Sequence, residues 1–180
     1  MKSNRVNRVS ATACFVILVT LWSSGARAGG KLDDATILAI FDQANSMDIF
    51  TGWLGAKYGN SEEVRALGRM VATDHVAVQQ MGRDLAKKLG IIPTPSDSDT
   101  SAMDHAKAVS LLQAKSGAEF DRAYLQHEIA FHQSAIDAVK ETLLPAIRNG
   151  ELKELVKGVL PGFEHHLATT KAVAKKLGVE

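Results

Sequence analysis

Helical periodicity runs through this chain in four long segments, and no competing pattern interrupts it. Apolar residues recur at three- and four-residue spacing over about Asp33–Tyr58, Ser61–Leu89, Ala118–Arg148 and Glu151–Leu177. Sustained two-residue alternation, which a half-buried strand needs, is absent, so the class is all-α. The punctuation agrees. Ser61 followed by Glu62-Glu63 reads as an N-cap with an acidic first turn. Gly90, with Pro93 and Pro95 beyond it, stops the second segment, and Asn149-Gly150 stops the third. Ser101–Lys115 reads as a shorter helix broken at Gly117. Pro161-Gly162 predicts a kink or break inside the last segment.

Connection lengths then constrain the topology. Only a few residues separate the first segment from the second and the third from the fourth, so each pair reads as an antiparallel hairpin. The stretch Gly90–Ser116 is long enough to cross the length of a bundle. Two hairpins joined by a crossover that carries a short extra helix form the ferritin-like four-helix arrangement. An up-down-up-down bundle with a capping helix is the alternative.

The N-terminal residues follow a different logic. Lys2, Arg5 and Arg8 precede an apolar run from Val9 to Trp22, and Ala26-Arg27-Ala28 closes it. This is the layout of a secretory signal peptide over 1–28, which predicts export to the periplasm and a single domain over 29–180. The run is short of the roughly 20 residues a membrane-spanning helix needs. Cleavage would remove four of the 21 basic residues and the single Cys, leaving 17 basic and 20 acidic residues. Such a balance gives no reason to expect nucleic-acid binding. Without Cys, any metal site must be built from His and carboxylates.

Placing each residue at about 100° per step brings polar groups onto apolar faces. Asp48 falls among Ile37, Ile40, Phe41, Ala44 and Met47, with Asn45 at the edge. His75 falls among Val71, Val78 and Leu85. Glu128 and His132 share the face of Phe120, Tyr124 and Ile136, and His166 that of Leu155, Val159, Phe163 and Val173. His165 points the other way. All five inward groups lie near the middle of their helices, where antiparallel hairpins bring midpoints to one level. Buried carboxylates and imidazoles need partners. Asp48, His75, Glu128, His132 and His166 are therefore candidate ligands for a transition metal ion, Fe, Zn or Cu. The alternative is a metal-free polar network in which Asp48 and Glu128 orient three imidazoles. His105, His127 and Glu164 read as solvent-facing, and Met47, Met70 and Met81 as core filler.

The set falls short of the full di-iron pattern, which needs two Glu-x-x-His pairs: Ala72 and Phe163 stand three residues before His75 and His166. Nucleophile elbows, phosphate loops, dinucleotide fingerprints and zinc-protease motifs are missing, so no enzymatic activity is read from the sequence.

Four blocks carry a family resemblance: Asn45-Ser46-Met47-Asp48-Ile49 with Gly52; Met70-Val71-Ala72-Thr73-Asp74-His75; Phe120-Asp121-Arg122-Ala123-Tyr124 leading to His132-Gln133; and His166-Leu167. Together they resemble the domain of unknown function 4142 family of exported bacterial proteins. The resemblance implies a ferritin-like helical bundle with recurring His positions at His75, His132 and His166. That family typically has Glu where this chain has Asp48, a shorter carboxylate. It has no settled activity, so it implies fold and export rather than a reaction.

Overall fold

The computed structural model describes residues 32–179, all of whose regular elements are helical. The signal-peptide reading of 1–28 lies outside the described residues. Helix α1 spans Asp34–Tyr58, α2 Glu62–Leu89, α3 Ser101–Gln113, α4 Gly117–Ala138, α5 Leu144–Ala146 and α6 Gly150–Lys176. Among them none is long and apolar enough to cross a membrane.

The helix ends follow their capping residues. Asp33 accepts a hydrogen bond from the Thr36 N–H at 3.0 Å, and Ser61 from the Val64 N–H at 3.2 Å. Asn149 does the same for the Leu152 N–H at 3.0 Å. Gly90 ends α2 with φ of 64°, a left-handed turn that glycine takes without the steric cost of a Cβ.

Two points along the later helices refine the expectations. The third long segment is interrupted: a π-helical turn, Val139–Leu143, separates α4 from α5, and the Leu144 N–H bonds to the Val139 carbonyl five residues back. Pro145 follows immediately and has no N–H to offer. At Pro161, by contrast, α6 runs on without a break. Pro161 and Lys157, whose carbonyl loses its donor, are both exposed, so water can satisfy that carbonyl.

Side-chain pairs fix the directions. Moving up α1, Phe41 meets Gly82, Asn45 meets His75 and Gly52 meets Ala72, so α1 and α2 are antiparallel. Lys140 pairs with Glu164 and Gln133 with Lys171, so α4 and α6 are antiparallel. Helices α1 and α4 are also antiparallel. Asp34 accepts from the Arg148 and Asn149 N–H groups at one end, and Asp121 from the Asn60 and Ser61 N–H groups at the other. Helix α3 lies over α1 and α4.

One contact sets the spacing of α1 and α2. A Cβ at Gly68 would lie 2.4 Å from the Ala56 nitrogen and 2.5 Å from the Gly52 oxygen, so the two backbones touch there. Apolar packing fills both ends of the bundle. Leu54, Val64, Leu67, Phe120 and Tyr124 form one cluster, and Ile37, Leu38, Val139, Leu152 and Val156 the other. Between them lies a buried polar layer of Asn45, Asp48, Thr51, His75, Glu128, His132 and His166.

The cover provided by α3 corrects two readings. His105 and His127 are half-buried rather than solvent-facing. The His105 ring meets Phe50 edge-on at 5.7 Å, and burial lowers its pKa. Burial pushes His127 down to about 4. Periodicity along one helix cannot register a crossover laid on top of it. Met81 is a third correction: it is 51 % exposed, about 100° around α2 from buried Gly82. Met70 is half-buried against the core, and Met47 is half-buried too. His165 and Glu164 are exposed.

Candidate metal centre

All five candidate residues are buried, each at most 3 % exposed. They form two overlapping groups that share His132. One is His75, His132 and His166; the other is Asp48, Glu128 and His132, and each group's donor atoms lie within 4.8 Å of one another.

In the first group three ring nitrogens face inward. His166 Nδ1 lies 3.2 Å from His75 Nε2 and 3.3 Å from His132 Nε2. Asp48 Oδ2 approaches His75 Nε2 at 2.8 Å and His132 Nε2 at 3.2 Å. An ion with tetrahedral bonds of about 2.0–2.1 Å spaces its donors about 3.3–3.4 Å apart. Three of these four separations fall within about 0.2 Å of that range. Asp48 Oδ2 thus stands beside two inner ring nitrogens at once, and its carboxyl also interacts with Glu128. Separations of this size fit donors aimed at a common point.

The outer ring nitrogens determine the tautomers. Asn45 Nδ2 donates to the Phe41 carbonyl at 2.7 Å, which leaves Asn45 Oδ1 as an acceptor for His75 Nδ1 at 2.8 Å. His132 Nδ1 faces the Glu128 carbonyl at 3.0 Å, and His166 Nε2 faces Asp74 Oδ2 at 3.0 Å. All three partners are acceptors, so each outer nitrogen carries the proton. In a neutral imidazole the inner nitrogen is then a bare lone pair. Outer N–H groups held by acceptors are what surrounds metal-bound histidines.

Three lone pairs and a carboxylate oxygen in mutual contact repel unless protons or a cation sit among them. Burial lowers the pKa of His166, with Asp74 opposing and His132 and His75 adding to the fall. Burial raises that of Asp48, but the neighbouring charge of His132 and His75 outweighs it and holds the carboxyl well below its usual range. Glu128 behaves oppositely. Burial and the Asp48 charge push its pKa well above the ordinary carboxyl value. Its Oε2 lies 3.6 Å from His132 Nδ1, on the ring's outer side, and its carboxyl also interacts with Asp48, Thr51 and Tyr124. Burial, then the charges of Glu128 and Asp48 and a hydrogen bond with Glu128, raise the pKa of the buried Tyr124 hydroxyl.

Against this geometry, a family model described as a domain of unknown function, DUF4142, matches residues 22–173. The chain belongs to the DUF4142 family. No curated protein and no solved structure matches it. The DUF4142 assignment agrees with the blocks around Asp48, His75, His132 and His166, which meet in the polar layer.

Asp74 is the residue that sequence reasoning missed in this DUF4142 chain. It is half-exposed and reaches from α2 to a histidine on α6. Its only sequence signal was its place beside His75. Asn45, read as an edge residue, is 2 % exposed and orients His75. Phe163, which stands where a full di-iron pattern has Glu, stacks on His75 with ring centroids 5.2 Å apart.

Proposed function

We propose that this chain is an exported ferritin-like bundle that holds one first-row transition ion, Zn²⁺, Fe²⁺ or Cu²⁺, in its polar layer. The ligands are His75 Nε2, His132 Nε2, His166 Nδ1 and Asp48 Oδ2. The observation that carries this reading is the set of outer acceptors, Asn45, the Glu128 carbonyl and Asp74, which leaves three bare nitrogens facing one carboxylate oxygen. Three imidazoles and one carboxylate suit these ions, whereas Mg²⁺ and Ca²⁺ favour oxygen donors. The set has too few carboxylates for a di-iron centre, so the role is binding a single ion rather than running di-iron chemistry.

Helix directions support the ferritin-like arrangement. Both α2 and α4 oppose α1, so they run the same way, and the segment between them must return along the bundle. The basic, apolar and Ala-x-Ala order of 1–28 supports export to the periplasm.

The test is elemental analysis of protein from a periplasmic fraction, joined to thermal unfolding of wild type and His132→Ala with and without each ion. An ion bound only by the folded state stabilises it by about 2.7 kcal/mol at a hundredfold excess over Kd. The wild-type midpoint should rise and that of His132→Ala should not. If no ion raises the wild-type midpoint, or the variant gains equally, a metal-free network around Asp48 and Glu128 takes its place.

A further inference from the structure

Helices α1 and α4 are tied at both ends, by Asp34 to the Arg148 and Asn149 N–H groups and by Asp121 to the Asn60 and Ser61 N–H groups. Between the ties a cavity of about 520 Å³ opens along their seam. Ala44 and Met47 of α1 form one wall, and Phe131 and Ala135 of α4 the other. The crossover segment from Ser96 to Ser101 contributes to the lining, and Gln43 Nε2 holds it by donating to Asp99 at 2.7 Å. Deeper in, the cavity is bounded by Asp48, His75 and His132, three of the four ligands assigned above, while His166 lies outside its lining.

Size, charge and reach narrow the occupant. The volume lies within the range of small-molecule sites, and the walls just named are apolar. The lining includes Asp99, Asp137 and Glu141 but no Lys or Arg, which disfavours an anion. Zinc centres open to a small molecule sometimes take a fifth donor. The side bounded by Asp48, His75 and His132 is the side on which a fifth donor can arrive. We propose that this cavity is the binding chamber for an uncharged, largely apolar small molecule that places one nitrogen or oxygen donor on the metal ion. The inference rests on the metal-binding reading and adds to it the class of ligand.

Cobalt(II) makes the two readings separable, because its visible bands report first that the ion is bound and then that a further donor has arrived. Cobalt-loaded protein is titrated with 4-phenylimidazole, imidazole and 4-phenylbutyrate. The expected result is a band shift at a concentration at least tenfold lower for 4-phenylimidazole than for imidazole, with no comparable gain for the anion. Ala135→Trp adds bulk at a wall position that is not itself a ligand and should abolish the tenfold gain while cobalt is still bound. Ala44→Leu, from the opposite wall, should reduce it if the larger change prevents folding. Cobalt bands that appear without any gain from the phenyl group overturn the chamber and leave the metal site standing. A gain that survives both wall substitutions also overturns the chamber. No cobalt bands at all overturns both.

Discussion

In the hairpin of α1 and α2 the two backbones come into contact at Gly68 and Gly52, whereas α4 and α6 are held apart by side chains such as Ile136, Phe163 and Leu167. The glycines of α6 play no comparable part: a Cβ at Gly158 or Gly162 would meet nothing within 4 Å. Yet each hairpin's connection is held by an aspartate near the start of the other hairpin's leading helix, Asp121 for one and Asp34 for the other. The two halves are thus cross-tied alike and packed differently. The tight half supplies Asp48 and His75, with Asn45 and Asp74 to orient rings. The looser half supplies His132 and His166 and carries the π-helical turn that borders the cavity. A rigid frame against a roomier one is a physical way to hold donors in place while leaving space beside them.

The largest way to break this asymmetry is to give Gly68 a side chain. Ala at this position would put a methyl 2.4 Å from the Ala56 nitrogen, a backbone atom that cannot rotate away. Overpacking typically costs about 1–3 kcal/mol, and backbone on the far side of the contact puts Gly68→Ala at about 3 kcal/mol or more. Urea unfolding checks it. A loss under about 1 kcal/mol would mean that α1 and α2 part easily and that the tight half is not a frame.

The same asymmetry explains what could be read from the sequence. Four long helices and the inward set Asp48, His75, Glu128, His132 and His166 follow from a 3.6-residue period, and the cap at Ser61 from the acidic pair behind it; the caps at Asp33 and Asn149 came only with the structure. The exact facing of α2 does not. Its contact face is built from Gly68, Ala72 and Gly82, which register weakly as apolar, so the bulky residues pull the apparent axis toward Val78 and Leu85 and place Met81 inside. The half-burial of His105 and His127 depends on α3 lying over α1 and α4, a tertiary fact that no single helix encodes. The split of the five candidates into two groups sharing His132, and the link from Asp74 to His166, depend on ring directions across helices.

A middle-sized effect sharpens the cross-tie comparison. Asp121 is 4 % exposed and accepts from two backbone N–H groups at 2.7 and 2.8 Å; Asp34 makes the matching pair, both at 2.9 Å, but is half-buried. Hydrogen bonds to charged groups contribute about 1.5–3 kcal/mol when buried and less where water can replace them. Asp121→Ala should therefore cost about 2 kcal/mol and Asp34→Ala about 1 kcal/mol. Denaturant midpoints of the two variants, measured side by side, decide the point; equal costs, or the reverse order, would show that burial does not distinguish the ties.

The smallest effect has the opposite sign. Gly162 sits in the interior of α6, exposed, with nothing within 4 Å of where a Cβ would stand and with no left-handed φ. Glycine there costs helix stability because the unfolded chain has more backbone freedom to lose, about 0.5–1 kcal/mol relative to alanine. Pro161 beside it already fixes one φ and removes one N–H, so the local helix has the most to gain from a better helix former at the next position. Gly162→Ala should raise the melting midpoint, corresponding to a gain of up to about 1 kcal/mol, and leave ion binding unchanged, since neither His165 nor His166 changes its place on the helix. A loss of stability would mean that α6 needs the glycine to bend around Pro161. The looser hairpin would then depend on a specific glycine as the tighter one does, and the contrast between them would be one of position along the helix rather than of packing.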